Sequence, residues 1–165
     1  MMKKLAIAGI AILLAACSSE KSGTFETDEG EGSYSIDEDS GETSASIKTE
    51  DGTITMRSGE NVAVDLPKGF TLYPGAKVVS NTVIAQDDGK GALVVMESDA
   101  SPQEMGDFYK KQAEAAGVDI SIQLTTDAGR MIAGQAEDGS SFSFNANAED
   151  GKTVGQLTVQ QGMGG

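Results

Sequence analysis

The chain has 165 residues with 26 acidic and 12 basic side chains, which gives a formal net charge of −14 at pH 7. An acidic surface repels nucleic acid, so we expect no nucleic-acid partner. Histidine is absent and Cys17 is the only cysteine, which excludes His-dependent triads and cysteine-ligated zinc or iron–sulfur sites. The absence of tryptophan and the 21 glycines predict a light core of β-structure with many turns.

The N-terminal segment has the architecture of an export signal. Lys3 and Lys4 precede an apolar run, Leu5 to Ala16, which is shorter than the roughly 20 residues of a membrane-spanning helix. The run ends directly before Cys17, and a polar stretch begins at Ser18. An ordinary secretory signal with an incidental cysteine is the alternative interpretation. A free thiol would be a liability outside the cytoplasm, and lipidation would consume it.

The tetrapeptide Leu14-Ala15-Ala16-Cys17 resembles the lipobox of bacterial lipoproteins. The resemblance implies that residues 1–16 are a signal peptide, which the lipoprotein-processing machinery removes. It also implies that Cys17 carries a diacylglycerol on its sulfur and an acyl chain such as palmitate on its new N-terminus. Three chains exceed the two membrane signals that stable anchoring requires, so we expect a protein anchored to the membrane without spanning it.

The residue after the cysteine bears on which membrane holds the protein. In proteobacterial lipoproteins an Asp at this position marks retention in the inner membrane, and this chain has Ser18. The resemblance therefore implies the outer membrane, facing the periplasm, in a Gram-negative cell envelope. In a Gram-positive host the anchor would face outward from the plasma membrane.

Beyond the signal, 149 residues remain (165 − 16), with a net charge of −16 once Lys3 and Lys4 are removed (10 − 26). This length accommodates one modest domain and a tether. Residues 17–32 consist mainly of Ser, Gly and acidic residues, with Phe25 as the one large apolar side chain. Low hydrophobicity with like charge predicts a disordered acidic tether over 17–32.

Residues 33–65 alternate apolar with small polar residues in short runs. Asp51-Gly52 between two such runs predicts a hairpin. We expect a slim, Ser/Thr-rich β-hairpin region that either extends the main sheet or stands as a short ladder. The predicted strands are Ser33–Ile36, Ala45–Thr49, Thr53–Arg57 and Val62–Val64.

Residues 66–161 predict an α+β domain in which one helix packs across an antiparallel sheet. Ser101, Pro102 and Glu104 form the pattern of a helix start with a capping box, and Gly117 stands where a left-handed C-cap is expected. The buried helix face is predicted to hold Met105, Phe108, Tyr109, Gln112, Ala113 and Ala116. The predicted strands are Lys77–Gln86 and Ala92–Met96 before the helix, then a meander of Asp119–Leu124, Arg130–Glu137, Ser140–Ala148 and Lys152–Gln160. Residues 162–165 form a flexible tail.

This domain also resembles a module of uncharacterised bacterial lipoproteins. The resemblance rests on Leu72–Val78, Ser101–Glu104 and Phe108–Lys111, and it covers about half of the chain. The resemblance implies a fold, and it identifies no catalytic residues in this chain.

The remaining chemistry is sparse. Asp37 to Glu42 offers oxygen ligands for calcium, but the EF-hand positions that require Gly and Glu hold Glu42 and Lys48. Lys90, Lys110 and Lys111 are candidates for a Ser–Lys dyad, with nothing that favours one. We therefore predict no catalytic, metal-binding or cofactor-binding residues and no enzymatic activity.

The sequence thus predicts a lipid-anchored envelope protein with a non-enzymatic role, in protein interaction or envelope structure. Its expected partners are the membrane and an unidentified envelope protein. A module that binds a small cationic ligand or a metal ion through its acidic turns is the alternative. An envelope hydrolase is a remote third hypothesis.

Overall fold

The structure, a computed structural model, describes residues 20–27, 30–49, 52–87 and 89–162. The signal peptide, the lipobox residues Leu14, Ala15 and Ala16, and Cys17 lie outside these residues, as do residues 163–165 of the expected tail.

The described residues form ten β-strands and one α-helix, so the protein is mostly β. All ten strands belong to one antiparallel sheet in the order β1-β2-β3-β4-β5-β6-β10-β9-β8-β7, with the helix packed on it. The expected antiparallel sheet with one packed helix is confirmed. The elements are β1 (Glu20–Thr27), β2 (Gly30–Asp37), β3 (Thr43–Thr49), β4 (Gly52–Gly59), β5 (Lys77–Ala85), β6 (Lys90–Ser98), α1 (Pro102–Ala115), β7 (Asp119–Thr125), β8 (Gly129–Gln135), β9 (Ser141–Glu149) and β10 (Lys152–Gln161).

Helix α1 determines the strand order at one end of the sheet. The helix follows β6 and connects it to β7, which lies at the far edge of the sheet. The strands β7, β8, β9 and β10 then pair in succession, and β10 pairs with β6. Asp150 and Gly151, with φ of 49° and 80°, form the two-residue turn between β9 and β10. This turn lies between the predicted strands Ser140–Ala148 and Lys152–Gln160.

The helix begins and ends where its sequence pattern predicts. The Ser101 side chain accepts the amide N–H of Glu104, and the Glu104 carboxylate accepts the amide N–H of Ser101 at 2.9 Å. This hydrogen bonding lowers the pKa of Glu104. Gly117 follows the helix with a φ of +85°. Met105, Tyr109 and Ala113 are fully buried, as predicted for the core face.

Two predictions differ from the structure. The tether predicted over 17–32 includes Glu20–Thr27, which forms β1, and the start of β2. The ladder to β2 pairs the β1 backbone groups that face β2. Rings also pack across the two strands, because Phe25 lies over Gly32 and Tyr34 lies over Gly23. Val62–Val64 is not a strand. Instead the Asn81 side-chain amide donates to the carbonyls of Val62 and Ala63, each at 3.1 Å, and holds this segment on the sheet.

Candidate interaction surfaces

The two faces of the sheet are covered unequally. Helix α1 packs on β7–β10, and the segment 60–76 packs against the same core, with Phe70 stacked on Phe142 at 5.6 Å between ring centroids. We call this the helix side and the opposite surface the open face. Side chains alternate between the faces along each strand, so the cross-strand register assigns every strand residue to one of them.

The interior between helix and sheet is filled by side chains. The rings of Tyr109 and Phe144 lie 4.5 Å apart, and both residues are fully buried. The Tyr109 hydroxyl accepts the amide N–H of Tyr73 at 2.9 Å and donates to Sδ of Met96 at 3.2 Å. Burial raises the pKa of Tyr109 to about 12. This hydroxyl is therefore a neutral structural group at physiological pH, and it ties the segment 60–76 to the helix.

On the helix side, strands β1–β4 have no helix over them. Their register places two parallel rows of side chains on this face, with Ser or Thr at every position except Arg57, and we call this surface the hydroxyl face. The rows line a concavity of about 590 Å³, and the row between them contributes backbone to its floor. The hydroxyl face consists of Ser22, Ser35, Ser44 and Arg57 in one row and Thr24, Ser33, Ser46 and Thr55 in the other.

One charged side chain borders this concavity. The Arg57 guanidinium contacts the Glu42 carboxylate, with Nε at 2.8 Å and a terminal nitrogen at 2.7 Å from Oε1. This ion pair compensates the charge of Arg57. The hydroxyl face thus presents seven side-chain hydroxyls that can both donate and accept hydrogen bonds.

The open face carries exposed hydrophobic side chains. Among the described residues, five large hydrophobic side chains are exposed, and the register places all of them on the open face. They lie toward its two ends, and they are Tyr34 (41% exposed), Met56 (37%), Ile122 (50%), Leu124 (57%) and Met131 (41%).

The open face also has few charges in a chain with a net charge of −14. Its central row runs from Lys21 on β1 through Thr82 on β5 to Ile122 on β7, with one residue on each strand and no carboxylate. The carboxylates that the described strands place on this face lie within two residues of a strand end, and they are Glu97, Asp119 and Glu149. Most of the negative charge therefore lies in turns, in the helix and on the helix side.

The acidic segment that was considered for calcium forms a turn of its own. The Asp37 carboxylate accepts the amide N–H groups of Asp39 at 2.9 Å and Ser40 at 3.2 Å, and these hydrogen bonds lower its pKa. The carboxylate thus caps the β2–β3 turn. Within the described residues, no three His, Cys, Asp or Glu side chains are grouped so that they could hold a metal ion.

Two of the three lysines considered for a dyad contact carboxylates in the structure. Lys90 pairs with Asp65, and Lys110 lies 3.7 Å from Glu114 one helical turn away. Cys17 and the lipobox lie outside the described residues, so the structure has no bearing on their predicted role.

Sequence reasoning did not identify either surface. The hydroxyl face was visible as the repeated Ser/Thr-x-Ser/Thr spacing of Ser22 and Thr24, Ser33 and Ser35, and Ser44 and Ser46. That spacing locates one face of each strand, but only the register brings the strands side by side. Ile122 and Leu124 share the same two-residue spacing, which places them on one face of the predicted strand Asp119–Leu124.

Comparison with known proteins gives one positive result. Curated proteins gave no match, and solved structures gave none. Within the described residues, no helix combines the length and the apolar character needed to cross a membrane. The family model described as START domain-like matches residues 78–162, which is more than half of the chain and contains β6–β10 and α1. The chain belongs to the START domain-like family.

Proposed function

We propose that the protein is a membrane-anchored, non-enzymatic lipoprotein of the cell envelope that binds a partner protein through its hydroxyl face. The observation that carries the proposal is the uncovered concavity on the helix side of β1–β4. The START domain-like family suggests a ligand-binding fold, which supports a binding role.

The extension β1–β4 contributes little to the core. In the part of the chain that the structure describes, none of the buried hydrophobic side chains lies in these four strands. A sheet without an apolar layer on it is marginally stable alone, so β1–β4 depends on its continuity with β5. Strands that add surface without adding core are well suited to presenting that surface to a partner.

The chemistry of the hydroxyl face favours a polar contact. Serine and threonine hydroxyls are uncharged and can match either a donor or an acceptor on the partner. The one charged side chain that lines the concavity, Arg57, is already paired with Glu42. We infer that the partner approaches with a hydrogen-bonding polar surface, and that the acidic exterior suppresses non-specific association.

The membrane anchor is the other half of the proposal, and it rests on the lipobox. Residue 20, where β1 begins, lies three positions after Cys17. Three residues span at most about 10 Å, so a lipid on Cys17 would hold the edge of the sheet close to the bilayer. The expected outer-membrane location follows from the resemblance at Ser18.

Two measurements test the proposal. A photo-crosslinking amino acid at position 35, in the middle of the hydroxyl face, should give a specific adduct in intact envelopes. The same residue at position 111, on the exposed side of the helix, is the matched control. Equal adducts at both positions, or none at position 35, would contradict a partner on this face.

A separate experiment tests the lipidation of Cys17. Labelled palmitate should enter the wild-type protein and be lost in Cys17→Ser, because the acyl chains are attached to that residue. Wild-type protein without label would show that the anchoring half of the proposal is wrong, whatever the crosslinking result.

A further inference from the structure

We propose that the edge strand β7 binds an extended segment of another protein, which adds a strand to the sheet. The segment alternates apolar with polar residues and carries a basic residue at each end. The inference goes beyond the proposed function, because it concerns a different surface and depends neither on the hydroxyl face nor on the membrane anchor.

Strand β7 has backbone hydrogen-bonding groups that face away from the sheet. It is the last strand in the sheet order, and within the described residues it pairs with β8 alone. The amide N–H of Thr126 donates to the Gly129 carbonyl at 2.9 Å, and alternate residues of an antiparallel ladder bond to the same neighbour. The N–H and C=O groups of Gln123 and Thr125 therefore point away from β8. Among the described residues, no other segment hydrogen-bonds to these groups.

Two features limit the length of this open edge. The Gln103 side-chain amide donates to the Thr126 carbonyl at 2.9 Å, so helix α1 takes up the first carbonyl beyond the strand. A bulge between Ile120 and Ile122 interrupts the register at the other end. An added strand therefore pairs along residues 122–125, where two N–H and two C=O groups are available.

The two edges of the sheet differ in how they oppose strand addition. Strand β1 has three charged residues among its eight, Glu20, Lys21 and Glu26. Charged residues on an edge strand discourage pairing with another chain. Residues 122–125 contain no charge and no proline, and all four are exposed. Strand β7 is therefore the edge that is open to an added strand.

The side chains of β7 specify the pattern of the segment that fits it. Ile122 and Leu124 lie on the open face and are 50% and 57% exposed, whereas Gln123 and Thr125 lie on the helix side. Cross-strand neighbours on the same face of a sheet pack against each other. An added strand is therefore stabilised by apolar side chains beside Ile122 and Leu124 and by polar side chains beside the other two.

The charges at the ends of β7 favour a basic segment over a second copy of this chain. Asp119 and Asp127 flank the open edge, both are exposed, and within the described residues neither belongs to an ion pair. When two β7 edges pair antiparallel through their outward groups, Asp127 of each copy lies within two residues of Asp119 of the other. Like charges at this spacing repel, whereas a basic residue at each end of the added strand is attracted.

The test uses purified full-length protein and a fluorescent peptide, Lys-Ser-Thr-Val-Thr-Val-Thr-Ser-Lys, which has the inferred pattern. Its binding is measured by fluorescence anisotropy. N-methylation of the first two threonines removes the donors that face β7 and should lower the association constant at least tenfold. N-methylation of the two valines, whose N–H groups face solvent in the added strand, is the matched control and should leave the constant within threefold.

A pair of protein variants locates the binding site. Leu124→Ser removes an apolar contact at the β7 edge and should weaken binding at least threefold. Tyr34→Ser removes an exposed side chain from the same face at the other end of the sheet and should leave binding unchanged. A peptide with both lysines replaced by glutamate should bind more weakly, and salt should reduce that difference. Urea unfolding of both variants shows whether either has lost the fold.

The outcomes decide between strand addition and its alternatives. Binding that is lost on threonine N-methylation and weakened by Leu124→Ser, but not by the two controls, supports the proposal. No binding up to about 1 mM peptide, equal losses with both N-methylated peptides, or equal effects of the two variants overturns it. A protein mass that doubles with concentration and falls in Leu124→Ser also overturns it, in favour of a second copy. The crosslinking experiment at position 35 tests the proposed function separately.

Discussion

Tyr109→Phe removes one buried hydroxyl and keeps the ring that packs on Phe144. The amide N–H of Tyr73 loses an acceptor at 2.9 Å, and Sδ of Met96 loses a donor at 3.2 Å. A buried amide left without its partner costs about 1–3 kcal/mol. We expect the free energy of unfolding of the variant to be lower than that of the wild type by this amount at pH 8.

The Tyr109 hydroxyl also makes the free energy of unfolding depend on pH in the alkaline range. Burial raises the pKa of Tyr109 in the folded protein to about 12, whereas a tyrosine in an unfolded chain titrates near 10. Burial thus favours the neutral hydroxyl. Its contribution to stability is fully present below pH 10 and is lost as the pH rises toward 12. At pH 11 the wild type should have lost about 1.4 kcal/mol from this group, and Tyr109→Phe has no corresponding loss.

The assay is urea unfolding of both purified proteins at pH 8 and pH 11, followed by far-UV circular dichroism. Other titrating groups are common to both proteins and cancel in the difference between them. The deficit of Tyr109→Phe should therefore shrink by about 1.4 kcal/mol at pH 11. An identical difference at the two pH values would refute the burial of the Tyr109 hydroxyl against Tyr73 and Met96.

Three further substitutions test particular contacts. Gly134→Ala places a Cβ 2.1 Å from the Asp119 carbonyl oxygen, so β7 must shift; we expect a loss of about 1–3 kcal/mol by urea unfolding. Ser101→Ala removes the helix N-cap and should cost about 1 kcal/mol in thermal melting. Asn81→Asp turns a buried amide donor into a carboxylate facing the Val62 carbonyl; stability should fall by about 3–5 kcal/mol at pH 7 and recover partly on acidification.

Local sequence signals predicted the elements around the helix well. The Ser101 capping box, Pro102 and Gly117 are short-range features whose geometry depends on neighbouring residues alone. The buried face of the helix could be predicted because the apolar residues recur every 3.6 residues, which marks one face, and that face packs on a single element, the sheet. The turn at Asp150 and Gly151 is similarly local, since a two-residue hairpin requires positive φ at both positions.

Contacts between segments that are distant in the chain explain the two features that the sequence did not predict correctly. The composition of residues 17–32 predicted disorder, because a segment of low hydrophobicity and like charge does not by itself offset the entropy lost on ordering. Residues 20–27 are ordered by a neighbouring strand, and the rings of Phe25 and Tyr34 cover glycines on the partner strands, a contact that composition does not record. Val62–Val64 has strand-like alternation, yet the Asn81 amide takes up the carbonyls that a ladder would have used.

With Cys17 lipidated as proposed, the ordering of β1 changes how the domain is held at the membrane. A disordered tether would let the domain rotate freely, whereas a paired strand three residues from the anchor fixes its edge near the bilayer. Four strand spacings of about 4.8 Å separate β1 from β5, so the packed core begins roughly 19 Å further along the sheet. The extension β1–β4 would thus act as a rigid spacer, presenting its hydroxyl face between the membrane and the helix-covered domain.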